Sequence, residues 1–231
     1  MDHIRLSPRL QMVADFVPPC ACAADIGTDH GYLPVWLLQS GVIQSAIAAD
    51  IHAGPLANAR QSAAAYDLEE RFRFVQADGL QFSGAQAADV ITIAGMGGET
   101  ICTILAAAPW LREGRRLILQ PQSKVPELAD WLWHNGFTIE DAALCRDAGK
   151  RYLALRVLGR VAAQSCTVEQ LLLRHRDPLL PEQLKEEIRR QKRARAGMAH
   201  AKQTPEAALA AIDARLSELE TCLKEVQSWQ L

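Results

Sequence analysis

The chain has 231 residues, 49% of them hydrophobic, which is enough for one nucleotide-binding-sized α/β domain and a small appendage. No apolar run approaches the ~20 residues of a membrane span, and Met1 to Leu10 is polar and charged, unlike a secretory leader. The formal net charge of −2 excludes a globally basic nucleic-acid binder, but the charge is uneven: residues 1–159 hold 13 Lys/Arg against 17 Asp/Glu, and residues 160–231 hold 12 against 10. Six scattered cysteines lack the spacing of a redox or zinc pair and suit reduced thiols in a cytoplasmic protein.

Ser7-Pro8 reads as a helix cap and first-turn proline. The helix it opens places Leu10, Val13, Ala14 and Val17 on one face, and Pro18-Pro19 stops it. Strands are expected near 21–25, 46–50, 72–76, 90–94 and 116–120. Helices fall near 32–40, 54–65, 97–108 and 126–135, the last closed by Asn135-Gly136. This alternation argues for a parallel sheet covered by helices on both faces. Two strands then follow without a helix, Phe137 to Leu144 and Tyr152 to Leu158, joined by the turn Asp147-Ala148-Gly149-Lys150. From about Gly159 the composition shifts to helix formers. Thr204-Pro205-Glu206 opens a helix whose Leu209, Ile212, Leu216, Leu219, Leu223 and Val226 alternate spacings of three and four, a seam of coiled-coil type. Asp177-Pro178 or Leu180-Pro181 opens its partner, with Leu184 and Ile188 on one face and a basic continuation from Arg189 to Lys202. Residues 160–231 therefore read as two or three helices folded into an antiparallel hairpin.

The most telling segment is Ala24-Asp25-Ile26-Gly27-Thr28-Asp29-His30-Gly31-Tyr32-Leu33-Pro34, a buried strand running into a glycine turn and a helix. It departs from the G-x-G-x-x-G dinucleotide fingerprint, and Asp29 sits where a pyrophosphate would need the positive end of the helix. A ligand with no phosphate and a positive centre suits these acids, and S-adenosylmethionine is one. A second strand, Asp89-Val90-Ile91-Thr92-Ile93-Ala94, breaks into Gly95-Met96-Gly97-Gly98, and a third, Leu117-Ile118-Leu119-Gln120-Pro121-Gln122, ends in a polar turn.

In order, Leu6-Ser7-Pro8-Arg9-Leu10, Asp25 to Pro34, Asp78-Gly79-Leu80, Ile91 to Gly98 and Leu117 to Gln122 resemble the bacterial tRNA methyltransferases that modify N1 of adenine 22, over roughly the first 155 residues. The resemblance implies a Rossmann-like class I methyltransferase: a seven-stranded α/β sheet with a closing antiparallel hairpin and a C-terminal α-helical, coiled-coil-like domain. Residues 1–158 would form the S-adenosylmethionine-binding catalytic domain and residues 159–231 a helical tRNA-binding appendage. The closing hairpin favours S-adenosylmethionine over NAD. Gly31 stands where the family has Ala, and Gln122 where it has Asn.

Asp25, at the end of its strand, can order the turn and meet the methionine ammonium; it can equally cap the next helix. Gly27 and Gly31 would allow close backbone approach to the cofactor, with Thr28 between them. Asp50, followed by Ile51, can accept from both ribose hydroxyls or stand as a solvated loop acid. The resemblance has Asp78-Gly79 frame the adenine, against the plain reading of an Asp-Gly turn. Ala94 and Gly95 complete the expected cofactor contacts. Asp29, His30 and Met96 are the catalytic candidates. Adenine N1 attacks through a lone pair and leaves a cationic ring, which the Asp29 carboxylate would stabilise in a water-poor site. His30 could move the proton that later leaves the amine, or be a structural donor. N1 lies on the Watson–Crick edge, so the base must be unpaired or flipped, and Tyr32 and Met96 are possible walls; Trp36 reads as helix core. The loop lacks the N-P-P-Y pattern of exocyclic-amine methylation and fits a ring nitrogen. Gly97, Gln120, Pro121, Arg189, Arg190, Lys192, Arg193 and Arg195 complete the expected substrate contacts. The basic run could instead be a solvated face paired with Glu182, Glu186 and Glu187. No metal is implied, tRNA is the expected partner, and a monomer is expected. Methylation of another RNA or a small molecule, a catalytically silent RNA-binding protein and an NAD oxidoreductase are the competing readings.

Overall fold

The front of the chain folds into helix α1 (Pro8–Asp15) and strands β1 (Cys20–Ile26), β2 (Ile43–Asp50), β3 (Phe72–Gln76), β4 (Val90–Gly97) and β5 (Arg116–Ser123). Helices α2 (Tyr32–Gln39), α3 (Ala53–Ala65), α4 (Gly98–Ala106) and α5 (Val125–His134) alternate with them, and β6 (Thr138–Asp147) and β7 (Lys150–Leu158) close the sheet. The computed structural model describes residues 3–161, 166–199 and 206–230. Two compact units result, Met1–Cys166 and Thr167–Leu231.

The strand order is β3-β2-β1-β4-β5-β7-β6. The first five strands pair in parallel, and β7 runs antiparallel to both β5 and β6. Ala24, Ile91, Ile93, Leu117, Ile118 and Leu119 are fully buried. Such unbroken apolar runs mark strands covered on both faces. The order reverses between β1 and β4, and open parallel sheets bind ligands at that switch, outside the carboxyl ends.

Local chemistry sets the ends of these elements. Ser7 Oγ accepts from the Leu10 N–H at the start of α1, with Pro8 in the first turn. At the end of α5, Gly136 takes φ of 84°, and the Phe137 N–H reaches back to the Leu132 carbonyl at 3.0 Å, as glycine-capped helices do.

β2 begins three residues before its expected start, at Ile43, and β4, β5 and β6 each run three residues past their expected ends. β4 continues beyond Ala94 to Gly97, pairing with Pro121 and Ser123 across register shifts on either side of Met96. Gly95, with φ of 84°, supplies the bulge. β6 runs beyond Leu144 to Asp147, because a two-residue turn joins Asp147 directly to Lys150.

In the second unit, the capping box of Thr167 and Gln170 opens α6 (Val168–Arg174), followed by α7 (Leu180–Ala199) and α8 (Glu206–Gln227). Leu180, Leu184 and Ile188 of α7 and Leu216, Leu219 and Val226 of α8 are buried. Lys192 pairs with Glu220 at 2.8 Å and Arg195 pairs with Asp213, so α7 and α8 run antiparallel. The expected cap residues Thr204 and Pro205 lie outside the described residues, as does Lys202.

The β6–β7 turn contains a built-in strain. Ala148 (φ 46°) and Gly149 (φ 78°) both take the left-handed conformation of a type I′ turn. An L-residue other than Gly, Asn or Asp resists that conformation by ~1–2 kcal/mol. Ala148→Asn is expected to stabilise the front unit by ~0.5–1 kcal/mol, raising its melting temperature by ~1–4 °C. An unchanged or lower Tm in a calorimetric scan would show that the turn is not strained.

Candidate active site

The carboxyl ends of β1, β2, β3 and β4 and the start of α4 surround a cavity of about 460 Å³. This is within the size of small-molecule sites. Gly27, Asp50, Ile51, Asp78, Gly79 and Met96, all singled out from the sequence, line it. Glycine is needed at two of them. Both take the left-handed backbone, φ 77° at Gly27 and 55° at Gly79, and a Cβ on Gly79 would also come 3.0 Å from Ile104. Ile51 remains 54% exposed at the cavity edge, and Ile104 lines the same space, an apolar lining suited to a flat ring.

Three acids differ in what they are free to do. Asp25 accepts from the Thr92 hydroxyl at 2.7 Å, so the last turn of β1 is tied to β4. Burial pushes the Asp25 carboxyl above the ordinary carboxylate range, against the Thr92 hydrogen bond, and Asp50 adds to the rise. The Thr28 hydroxyl is buried near the same carboxylate but makes no geometrically sound hydrogen bond. Asp50 Oδ1 accepts from the His52 N–H at 2.8 Å, leaving Oδ2 without a partner among the described residues. Asp78 is exposed at the cavity wall.

Gly31, Ala94 and Gly95, expected at the cofactor, are not among the residues that line this cavity. Gly31 starts α2, and a Cβ there would meet Ala59 of α3 at 3.0 Å, so its close approach is between helices. Ala94 packs against the hydrophobic core. Gly95 lies beside Arg9 and Gln122: a Cβ there would stand 3.5 Å from Arg9 Nη1 and 3.6 Å from Gln122 Nε2. The bulge turns this stretch away from the direction a regular strand would give it.

Asp29, His30 and Tyr32 form a cluster at the start of α2. His30 Nε2 lies 3.5 Å from Asp29 Oδ2, and the His30 ring stacks on Tyr32 with centroids 5.1 Å apart. The Asp29 side chain is 77% exposed, so the water-poor setting expected for it is not present in this protein alone. Trp36 packs against the core, as its helical position suggested.

Gln120 and Pro121 are buried and cannot touch a macromolecule directly. β5 is an interior strand covered on both faces from Leu117 to Pro121, and only Gln122 and Ser123 beyond them reach solvent. Gln120 instead accepts from Arg9 Nη1 at 2.9 Å and donates to the Pro121 carbonyl at 3.0 Å. Gly97 and Gly98 seat α4 against the end of β5: a Cβ on Gly98 would meet the Lys124 carbonyl at 2.6 Å, and one on Gly97 would meet Ser123 Oγ at 3.2 Å. Sequence reasoning missed Arg9, Gln122, Glu99 and Lys124. A signal existed for Arg9, because residues 5, 6, 12 and 13, its helical neighbours, include no acid to pair with it.

Of the basic residues on α7, Arg190 pairs with Glu187 at 2.9 Å, Lys192 with Glu220 and Arg195 with Asp213. These three serve the helical hairpin itself, through an acid of α7 and two of α8. Arg189 and Arg193 are exposed and make no ion pair among the described residues.

An acid whose folded-state pKa is raised holds its proton more tightly when folded. Stability is therefore lost as pH rises from the unfolded carboxylate value, near 4, through the raised folded value. Asp25→Asn removes the buried charge and keeps an oxygen to accept from Thr92. It is expected to stabilise the ligand-free protein at neutral pH, with the gain disappearing as pH falls towards 4. Urea unfolding of both proteins across this range measures it, and a difference independent of pH would contradict the assignment.

A methyltransferase domain family model matches residues 6–155. The tRNA (adenine(22)-N(1))-methyltransferase of Bacillus subtilis (strain 168) is 38% identical over 156 residues, which span 67% of this chain and 66% of that protein. Among solved structures, the B. subtilis M1A22 tRNA methyltransferase TrmK superposes with a TM-score of 0.79 at 27% identity, covering 96% of this chain and all of that one. A candidate tRNA (m1A22) methyltransferase from Streptococcus pneumoniae, solved in complex with S-adenosyl-L-methionine, gives 0.77 at 30% identity, covering 95% of this chain and all of that one. The chain belongs to the methyltransferase-domain family, and within it to the TrmK-like tRNA methyltransferases.

Proposed function

We propose that this chain transfers a methyl group from S-adenosylmethionine to N1 of adenine 22 in tRNA. The observation that carries the cofactor is the charge of the crevice. Asp50, Asp78 and Glu99 line it, Asp25 lies two residues before Gly27, and no Lys or Arg lines it. Lys124 offsets Glu99 alone, at 3.8 Å, so a pyrophosphate would meet an excess of like charge there, whereas a sulfonium with an ammonium tail meets opposite charge. The unpartnered Thr28 hydroxyl fits an amino acid tail. The free Asp50 Oδ2 would accept from the ribose, Asp78 from the adenine amine, and Ile51 and Ile104 would cover the adenine ring.

When bound, S-adenosylmethionine supplies an electrophilic methyl. The chain's own residues position the attacking base. Tyr32 and His30 offer stacked rings to an extruded adenine. Met96 reaches over Gly27 and lines the cavity wall. N1 needs no base to remove a proton before attack; what develops is positive charge on the ring. Asp29 is the carboxylate placed to oppose it, and because it is exposed, the covering nucleotide itself must exclude the water that would screen it. Asp29→Asn is expected to lower kcat by roughly tenfold to a thousandfold, with cofactor affinity little changed. A loss of affinity without a loss of rate would make Asp29 a binding residue.

The assay is purified protein with bulk tRNA and methyl-labelled cofactor, followed by digestion to nucleosides. Label in 1-methyladenosine is the expected result, with none from a tRNA whose adenine 22 is replaced by guanine, and label in another nucleoside would overturn it. Cofactor binding without incorporation would favour a silent RNA-binding protein, and binding of NAD alone an oxidoreductase.

The helical unit is the proposed grip on tRNA, through Arg189 and Arg193 in particular. They stand four apart on one helix, an arrangement that repels itself unless an anion bridges it. Changing both to glutamine should lower the slope of log affinity for tRNA against log salt by about 0.7 to 0.9 for each phosphate no longer neutralised. Changing Arg190, Lys192 and Arg195 should chiefly weaken the hairpin. Equal tRNA binding by the Arg189/Arg193 variant at every salt concentration would reduce the run to a solvated face.

A further inference from the structure

Arg9 is a half-buried guanidinium with no carboxylate within ion-pairing distance among the described residues. Sequestering an unpaired charge is unfavourable unless something satisfies it. The chain nevertheless holds this one firmly. Gln120, fully buried, anchors it: the amide oxygen accepts from Nη1 at 2.9 Å, and the amide nitrogen is fixed on the Pro121 carbonyl. The Tyr152 ring lies 5.7 Å from the guanidinium carbon. Asp147 turns its carboxylate to the Arg9 backbone N–H, at 3.3 Å, rather than to the guanidinium. The anchored side chain lies beside Gly95, at the bulge immediately before Met96.

More positive charge stands at the same end of the sheet. β7 runs antiparallel to β5, so the β6–β7 turn lies at the carboxyl end of β5. There Arg146 and Arg151 are direct cross-strand partners, and Lys150 is exposed at the turn. Three cationic residues thus gather within six positions of one hairpin end.

We infer that the Arg9 guanidinium, locked beside Gly95 by Gln120 and Tyr152, seats a backbone phosphate of the target nucleotide, and that Arg146, Lys150 and Arg151 continue that phosphate track along the closing hairpin. The inference rests on the proposed RNA substrate. It differs from the cofactor site, whose lining has no cation, and from the basic helix of the second unit. Gln120 is a positioning residue that acts through Arg9. A planar guanidinium held on one edge keeps further N–H groups for an anion, which a lysine could not present in the same fixed direction.

The test compares the parent chain with Arg9→Gln, Arg9→Lys and the triple variant Arg146→Gln/Lys150→Gln/Arg151→Gln. Three quantities are measured: tRNA affinity across salt concentrations, kcat and KM for tRNA, and S-adenosylmethionine affinity by calorimetry. Arg9→Gln is expected to lower kcat/KM by roughly 10- to 100-fold, the scale of a missing charge-assisted hydrogen bond, and to flatten the salt slope by about 0.7 to 0.9. Arg9→Lys should restore the slope but only part of kcat/KM. The triple variant should flatten the slope further, and cofactor affinity should hold in all three. A fall in kcat/KM with an unchanged slope would mean that Arg9 meets a neutral acceptor, which overturns the phosphate assignment. Parent-like values throughout, or a loss confined to cofactor affinity, would overturn it as well. Should Arg9→Gln fail to fold, Arg9→Lys decides by kcat/KM, where a parent-like value overturns the assignment, and the hairpin variant tests the rest of the track by its salt slope. A parent that methylates no adenine defeats the proposed function, yet its tRNA-binding salt slopes still judge Arg9.

Discussion

The 2.7 Å hydrogen bond from the Thr92 hydroxyl to the Asp25 carboxylate joins β4 to β1 at the point where the strand order reverses. A parallel sheet has a free crevice there because the connections leaving β1 and β4 depart to opposite sides. An acid at that point is partly deprived of water by the strands around it, and burial raises its pKa. The fold thus holds a carboxylate whose ionised form is under-solvated. A positive ligand would relieve that deficit, and a negative one would deepen it.

The glycines then divide the end of the sheet into two kinds of space. Gly27 and Gly79 open the cavity ringed by Asp50, Ile51 and Asp78. Gly95 bends β4 into a bulge and brings that strand beside Arg9 and Gln122. Met96 follows Gly95 directly and lines the cavity. A regular strand would keep strict alternation through this region. The extra residue of the bulge breaks it, so an acidic cavity and a basic neighbourhood arise from consecutive residues of one strand.

The second unit shows why a basic run in a sequence is an ambiguous sign. Six basic residues between Arg189 and Lys202 look like one surface. Folding distributes the described ones between two tasks. Arg190 pairs with Glu187 on its own helix, and Lys192 and Arg195 pair with acids of α8. Of the described ones, Arg189 and Arg193 are left to solvent. The α8 acids stand more than 15 residues away in the chain, and no local count could reveal them.

The sequence by itself determined the order and type of the elements. Short runs such as Val90 to Ala94 and Leu117 to Leu119, rich in β-branched and aliphatic residues and bounded by turn residues, read as interior strands, and Ser7-Pro8 and Asn135-Gly136 mark helix ends by chemistry that acts within a few residues. It also brought Asp50 and Asp78 to the cavity, because each stands at or just beyond the tip of a strand, where parallel topology gathers them, but not Glu99. Tertiary structure decided which way the remaining candidates face. Gln120 and Pro121 turned out buried because both faces of β5 are covered there, and Gly31 comes close to Ala59 because α2 packs on α3. Arg9 became notable only once Gln120, Tyr152 and Gly95 were brought to it from more than 80 residues away. Backbone preferences and capping are local, whereas exposure and charge pairing depend on partners that only the folded chain brings together.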